Sequence, residues 1–247
     1  MNEILNMIFE RRSTRAYLDK PIGASDKTLI LQAALQAPTA GNMTLYSIID
    51  ITDDALKKML SVTCDNQPFI AKAPLVLIFV ADMRKWYDAY AARRKEARTP
   101  SYGDLMLACA DALIAAQNAA VAAESLGIGS CYIGDILERF EEHRALLNLP
   151  RYTLPAAMLC FGYPTPGQKA RKKPVRFDVS DIVTENAYHT RGEEALFDMF
   201  ARKEKAAGHA QSAAAVIDSA YEKKWYADYA LEMNRSAEKW ISYWING

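Results

Sequence analysis

The sequence predicts a globular chain in which helices cover a sheet, and three stretches carry that prediction. Ala73–Ala81, with Pro74 and Asp82 as its bounds, is a continuous apolar run of the kind a central strand covered on both faces requires. Asp104–Leu126 is a long alanine-rich helix stopped by Gly127, apolar over most of its circumference, suited to the middle of the molecule or to a subunit interface. From His189 onward the chain is nearly all helix-forming, and Trp225, Tyr226, Tyr229, Trp240, Tyr243 and Trp244 are too many large rings for a free solvated helix. They are expected to cover the core or wrap a neighbouring subunit. At 247 residues and 51% hydrophobic, the chain can bury one sizeable core, or a core plus an appendage.

In chain order, Ile4, Leu5, Ile8 and Phe9 recur at roughly helical spacing, so a first helix should end at Glu10-Arg11-Arg12-Ser13-Thr14-Arg15. Three guanidinium groups and the Ser13 hydroxyl within five residues suit an oxyanion such as a phosphate, although a solvated basic helix end would show the same composition. Ser25 or Asp26 can cap a second helix that Pro38 stops. Pro38-Thr39-Ala40-Gly41-Asn42 then reads as a turn that places polar groups at the junction with a strand over Tyr46–Ile51. Asp53–Val62 reads as a short helix. Between Asp82 and Asp104, Trp86, Tyr87 and Tyr90 mix with Arg93-Arg94-Lys95, as in a mobile flap over a ligand or a helix that packs on a partner.

Glycines flank the apolar segment Gly127–Gly134, which lets backbone N–H groups approach a planar ligand. Its Gly-x-Gly follows a helix, whereas a dinucleotide phosphate loop follows a strand, so that fingerprint is rejected. A further strand, Ala156–Tyr163, leads into a second basic cluster held by prolines, Pro164–Arg176. It is either a solvated linker or a second source of cations for the same anion.

Several function classes are set aside. Thirty basic residues balance thirty acidic ones, so no global field recruits nucleic acid or an anionic membrane, and anion binding must come from a local cluster. The opening Met1-Asn2-Glu3-Ile4 has no leader pattern, and no stretch is read as membrane-spanning, so a cytoplasmic protein is expected. Cys64, Cys109, Cys131 and Cys160 are scattered and read as buried free thiols. His143, His189 and His209 lie in polar stretches that read as peripheral, with no nucleophile or metal-ligand spacing beside them. An organic cofactor that carries the chemistry is therefore favoured over a hydrolytic triad or a metal.

Taken in order, the features of residues 4–188 resemble the FMN-dependent nitroreductase family. They are the Arg-Arg-Ser-x-Arg run, Ala-Pro-Thr-Ala-Gly-Asn at 37–42, Asn66-Gln67-Pro68, the alanine-rich helix into Gly-Ile-Gly-Ser-Cys-Tyr-Ile-Gly, and Phe-Gly-Tyr-Pro followed by basic residues. The resemblance implies an α+β fold with a mixed β-sheet wrapped by helices, over residues 1–188; the tail's own residues add a helical C-terminal extension over 189–247 that packs on the core or the partner subunit. It implies a homodimer with FMN at the subunit interface, and NADH or NADPH as electron donor. It implies an oxidoreductase that passes hydride through the flavin to a nitroaromatic, quinone or similar small-molecule acceptor, with no catalytic side chain.

By the same resemblance, Arg11, Arg12, Ser13 and Arg15 grip the phosphate and flavin edge, joined by Lys169 and Arg171. Pro38, Thr39, Ala40 and Asn42 reach the flavin from the partner, Asn66 or Gln67 makes a polar contact, and Tyr132, Ile133 and Gly134 lie along the ring. Two departures stand out. Met43-Thr44-Leu45-Tyr46 follows Asn42 where many relatives have Gln-Pro-Trp, and one extra residue between Arg171 and Pro174 makes Lys172 or Lys173 an alternative to Lys169. The long tail is expected to embrace the other protomer. A storage or sensor protein that holds FMN without turnover, or a flavin-modifying or dehalogenating relative, is the alternative.

Overall fold

The computed structural model describes residues 1–247, which divide into two compact units: Met1–Arg171 with Glu232–Gly247, and Lys172–Leu231. The sequence division at 188/189 thus differs from the structural one, which leaves the chain's last residues with the first unit.

In the first unit the chain runs α1 (Glu3–Glu10), α2 (Ala24–Leu35), β1 (Tyr46–Asp50), α3 (Asp54–Thr63), β2 (Leu75–Asp82), α4 (Arg84–Arg93) and α5 (Tyr102–Ser125). It continues through β3 (Gly129–Ile133), α6 (Phe140–Leu146), β4 (Thr153–Gly162) and α7 (Pro166–Ala170). The second unit holds α8 (Val179–Ile182), α9 (Glu193–Ala207), α10 (Ala213–Ala220) and a π-helical turn at Tyr221–Trp225. α11 (Asp228–Asn246) starts there and ends in the first unit.

The α+β class is as expected, and the strand order is β1-β2-β4-β3. Every ladder is antiparallel, where a mixed sheet was expected. The reason is topological. The crossover through α4 and α5 returns β3 in the same sense as β2, but β4 inserts between them, so the two parallel strands are never neighbours. β2 is central and buried along its whole length, which is why its sequence is apolar on both faces. Pro155 is tolerated inside β4 because the register slips between Phe79 and Val80, placing the missing N–H at a bulge.

Ser101 and Asp104 form a capping box at the start of α5, whose alanines 108, 112, 115, 116, 119, 120 and 123 are buried. Small side chains allow this helix to lie close to the sheet and to α2, and Asn118 donates to the Ala33 carbonyl at 3.1 Å. By length and composition α5 would suit a bilayer, yet its buried alanine stripe belongs to the core. The second helix is capped by Gly23 rather than by Ser25 or Asp26; Asp26 instead lies in the first turn and accepts from the Tyr163 hydroxyl at 3.1 Å. The 82–104 excursion is anchored rather than loose: Trp86 Nε1 donates to the Met43 carbonyl at 2.7 Å, and Tyr87 meets Tyr152 edge-on at 4.9 Å.

The tail resolves into two behaviours. Residues 232–247 pack on their own chain: Trp240 sits edge-on to Phe140 at 4.7 Å and donates to the Leu137 carbonyl at 2.9 Å, while Trp244 meets Tyr152. Arg235 pairs with Glu141 and Glu232, holding both acids at about 2. In the second unit Phe177 meets Phe200 edge-on, Arg202 pairs with Asp181, and Tyr221 stacks on Tyr226.

Because Trp240 is 1% exposed with its N–H satisfied, Trp240→Ala should cost about 3–5 kcal/mol in chemical denaturation, with Trp240→Phe intermediate. Equal stability of Trp240→Ala and wild type would contradict this placement of the C-terminal helix.

Candidate functional site

The basic N-terminal segment is laid against the edge of the sheet by two close approaches. A Cβ on Gly129 would overlap the Thr14 side chain, and one on Gly162 would overlap the Tyr17 ring. Absence of those atoms lets the Thr14 N–H reach the Ser130 carbonyl at 3.0 Å and the Leu18 N–H reach the Tyr163 carbonyl at 2.8 Å. Arg11 follows the last residue of α1, as its apolar spacing predicts, and its guanidinium reaches the Ser130 hydroxyl at 3.5 Å.

The second basic cluster folds back onto the first. Thr165 caps α7 and its N–H donates to the Ala16 carbonyl at 3.1 Å. Buried Gln168 then spans the gap, accepting from the Arg15 N–H at 3.2 Å and donating to the Ser13 carbonyl at 3.0 Å. Arg12 closes it: Nη1 donates to the carbonyls of Lys169, at 2.8 Å, and Arg171, while Nε and Nη2 go to Glu10. Arg12 is therefore a buckle between the two segments, with four of its five N–H donors already committed. Arg11, Arg15, Lys169 and Arg171 form no salt bridge, so the junction joins two segments that each carry cations not clamped by a carboxylate, with Arg11 in the field of Glu124. Lys172 instead donates to the Ala207 carbonyl at 3.2 Å.

A third strip borders the cations. Cys131, buried on β3, has its thiol pushed up by burial and opposed by Arg15, Ser13 and Arg11 beside it. Tyr132 is pushed up to about 12 by burial, and its hydroxyl donates to Gln117 at 3.2 Å. The Ile133 side chain is buried in the core, so this residue offers only its backbone. Gly134 is exposed with open space where a Cβ would stand. The turn at Asp65 and Asn66, both at positive φ, brings Gln67 alongside, and its amide donates to Asp135 at 3.0 Å. Phe69 lies under the Arg15 guanidinium, 5.9 Å from its ring centroid, and a cleft of about 1040 Å³ opens there toward Tyr17, Lys20 and Lys72, with neither Gln67 nor Gly134 in its lining. Unpaired cations next to a bare backbone strip fit a ligand with an anionic end and a flat body.

The 38–42 turn lies elsewhere. Buried Asp111 on α5 accepts from the Thr39 hydroxyl, from the Ala40 N–H at 2.9 Å and from the Leu45 N–H at 3.1 Å. Gly41 and Asn42 follow at positive φ, with Pro38 and Asn42 exposed. None of the turn's hydrogen bonds goes to residues 11–15, 66–67, 132–134 or 168–171 of the same chain.

Three residues near the site escaped sequence reasoning. Gln168 is a short α7 residue whose importance depends on backbone groups over 150 positions away. Glu124, at the end of α5, has its carboxyl raised by burial and drawn back by Arg11 and Arg12. Glu138 is 4% exposed, with one oxygen unpartnered, and is raised to about 7 by burial beside Asp135, Asp65 and Glu232. His143 corrects an expectation: it is wholly buried, not peripheral, with Nδ1 on the Ile136 carbonyl and Nε2 on the Thr63 hydroxyl, 3.9 Å from Cys64. Burial pushes the Cys64 thiol far up, so the pair is no nucleophile and base.

The family model described as the Nitroreductase family matches residues 8–163, which contain the arginine run, the 38–42 turn, Gln67 and β3. The chain belongs to the nitroreductase family. It is 31% identical over 197 residues to an FMN reductase (NADPH) of Bacillus subtilis, covering 78% of each chain. Over 196 residues it is 32% identical to an oxygen-insensitive NADPH nitroreductase of Salmonella typhimurium, covering 79% of each. Among solved structures, the NfrA1 nitroreductase of B. subtilis superposes with a TM-score of 0.78 at 26% identity, over 94% of this chain and 98% of that one. This nitroreductase-family chain clasps its two cationic segments through Arg12 and Gln168.

Glu138 yields a pH test. Its folded carboxyl holds a proton up to about 7, whereas the unfolded one releases it near 4.5, so this group's contribution to stability falls as pH rises through that window. Glu138→Gln should raise the melting temperature more at pH 8 than at pH 5; a gain that is the same at both would contradict the assignment.

Proposed function

We propose that this protein is an NAD(P)H-dependent FMN oxidoreductase that passes hydride through the flavin to a nitroaromatic, quinone or similar small acceptor. The observation that carries the reading is the junction of residues 11–15 with 168–171, which joins two segments bearing cations free of salt bridges and sets Arg11 and Arg15 by β3, the strand that leads to the bare Gly134 backbone. Its curated relatives, named as an FMN reductase and a nitroreductase, support the same chemistry.

FMN, when bound, supplies the ring that accepts hydride from a nicotinamide and passes electrons onward. The chain's own part is binding and positioning. Arg11 and Arg15, with Ser13, Lys169 and Arg171, hold the phosphate end; Arg12 keeps the two segments at a fixed separation. Gln67 and the backbone of Tyr132, Ile133 and Gly134 border the ring, with Asn66 in the same turn. No side chain is assigned as acid or base: His143 and the Cys64, Cys131 and Cys160 thiols are buried.

The reading includes a second copy of this chain. α1 leaves Ile4, Ile8 and Phe9 exposed, and α5 leaves Met106, Leu107 and Ile114 exposed opposite its buried alanines, two apolar faces that a soluble monomer would not keep wet. A homodimer covers them and allows Pro38, Thr39, Ala40 and Asn42, held out on Asp111, to complete the other copy's site. Four free thiols suit a reducing cytoplasm.

The purified protein should show a flavin visible spectrum that anaerobic NADH or NADPH bleaches and a quinone restores. A protein that takes up no FMN, or flavin that neither nucleotide bleaches, would contradict the reading, the latter in favour of storage or sensing.

Two variants refine it. Gly134→Ala adds a Cβ that meets nothing within 4 Å, at a φ of −77° open to any residue, so its melting temperature should match wild type while FMN affinity falls at least tenfold. Leu107→Glu with Ile114→Glu should elute at half the wild-type mass in light-scattering chromatography and lose FMN; a flavin-loaded monomer would contradict the shared site.

A further inference from the structure

We propose that Asp135 is a positioning residue that fixes the Gln67 side chain with its carbonyl oxygen turned outward, as a hydrogen-bond acceptor for a ring N–H of the bound cofactor. This inference rests on the FMN reading above and goes beyond it by assigning the polarity of one contact and the group that sets it.

The argument begins with the two hydrogens of the Gln67 amide. Nε2 donates to the Cys64 carbonyl at 3.0 Å and to the Asp135 carboxylate at 3.0 Å, so both are committed. Turning the amide over would set Oε1 against a backbone carbonyl, which can only accept, so the orientation is dictated rather than arbitrary. The Gln67 backbone is pinned as well, its N–H donating to the Ser61 carbonyl at 2.7 Å. What remains is Oε1, for which the chain itself provides no donor, on a half-buried side chain.

Asp135 is placed for this task by the element that follows β3. It opens the short 3₁₀ turn Asp135–Leu137, directly after exposed Gly134, so the backbone strip and the Gln67 amide are held in one register by one carboxylate. Without Asp135, the Cys64 carbonyl holds one hydrogen only, and the amide can pivot about that bond.

The polarity has a consequence for recognition. An oxidised isoalloxazine carries a single ring N–H, at N3, while its two carbonyls, N1 and N5 only accept and N10 is taken up by the side chain. An outward oxygen therefore selects the N3 edge, whereas an outward NH2 would select a carbonyl.

The test compares FMN with its N3-methyl analogue, by flavin fluorescence titration of the whole apoprotein. Wild type should prefer FMN by about tenfold, the size of one hydrogen bond in a partly buried site. Asp135→Ala should reduce that preference to about threefold or less, and Asp135→Asn, whose amide oxygen can still accept from Nε2, should restore it. Gln67→Met, which keeps the length and removes the acceptor, should resemble Asp135→Ala and guards against a folding artefact. Full discrimination in Asp135→Ala, or equal binding of the two flavins by wild type, would overturn the positioning role while leaving the FMN reading intact. Wild type that binds neither flavin would overturn both.

Discussion

The architecture of the site depends on the Arg12 guanidinium. A planar fork with donors pointing in fixed directions can satisfy carbonyls on two turns at once, and here it reaches Lys169 and Arg171 while Glu10 balances its charge. Gln168 reinforces the join with one bond to each side of Arg15's peptide neighbourhood. Segments that would otherwise repel, since both are basic, are thereby locked together, while Arg11, Arg15, Lys169 and Arg171 are left without a salt bridge.

The scaffold makes that junction rigid. β3 and β4 share an antiparallel ladder, and their Gly129 and Gly162 ends admit Thr14 and Tyr17 at van der Waals distance. On the far side α5 is buried through alanines, and its one buried acid, Asp111, is spent on holding the 38–45 turn outward. A single helix thus supports the core with one face and presents the turn from another. The C-terminal tryptophans close the same core from the opposite end of the chain, so residues 232–247 are bound to the sheet's fate rather than to an appendage.

Much of this was legible in the sequence where one physical rule dominates. β2 announced itself because a strand buried on both faces has no polar period, and Arg11 to Arg15 because clustered like charge needs a counterion. The two basic segments were each visible as motifs and the resemblance brought them together, but the residue that ties them was not legible: Gln168 binds backbone groups far away in sequence, and no local pattern encodes that. His143 misled because polar neighbours Glu141, Glu142 and Arg144 flank it, while its own ring faces inward to Thr63 and Ile136. The direction of strand pairing was also out of reach, since it turns on β4 inserting between two parallel strands rather than on any residue's preference. Arg12 was assigned to the phosphate by resemblance alone, and its bonds to the Lys169 and Arg171 carbonyls could not be read from the sequence.

The most direct measurement is the FMN dissociation constant of Arg12→Ala against wild type, together with proteolytic susceptibility of the 168–171 segment. Loss of the buckle leaves Arg11, Arg15, Lys169 and Arg171 in the chain but frees their separation, so affinity should fall by about ten- to a hundredfold and the segment should become cleavable, with α7 loosened from Ala16. Unchanged affinity with an intact, protected segment would show that the two cationic stretches hold together without Arg12, and the account built on that clasp would be wrong.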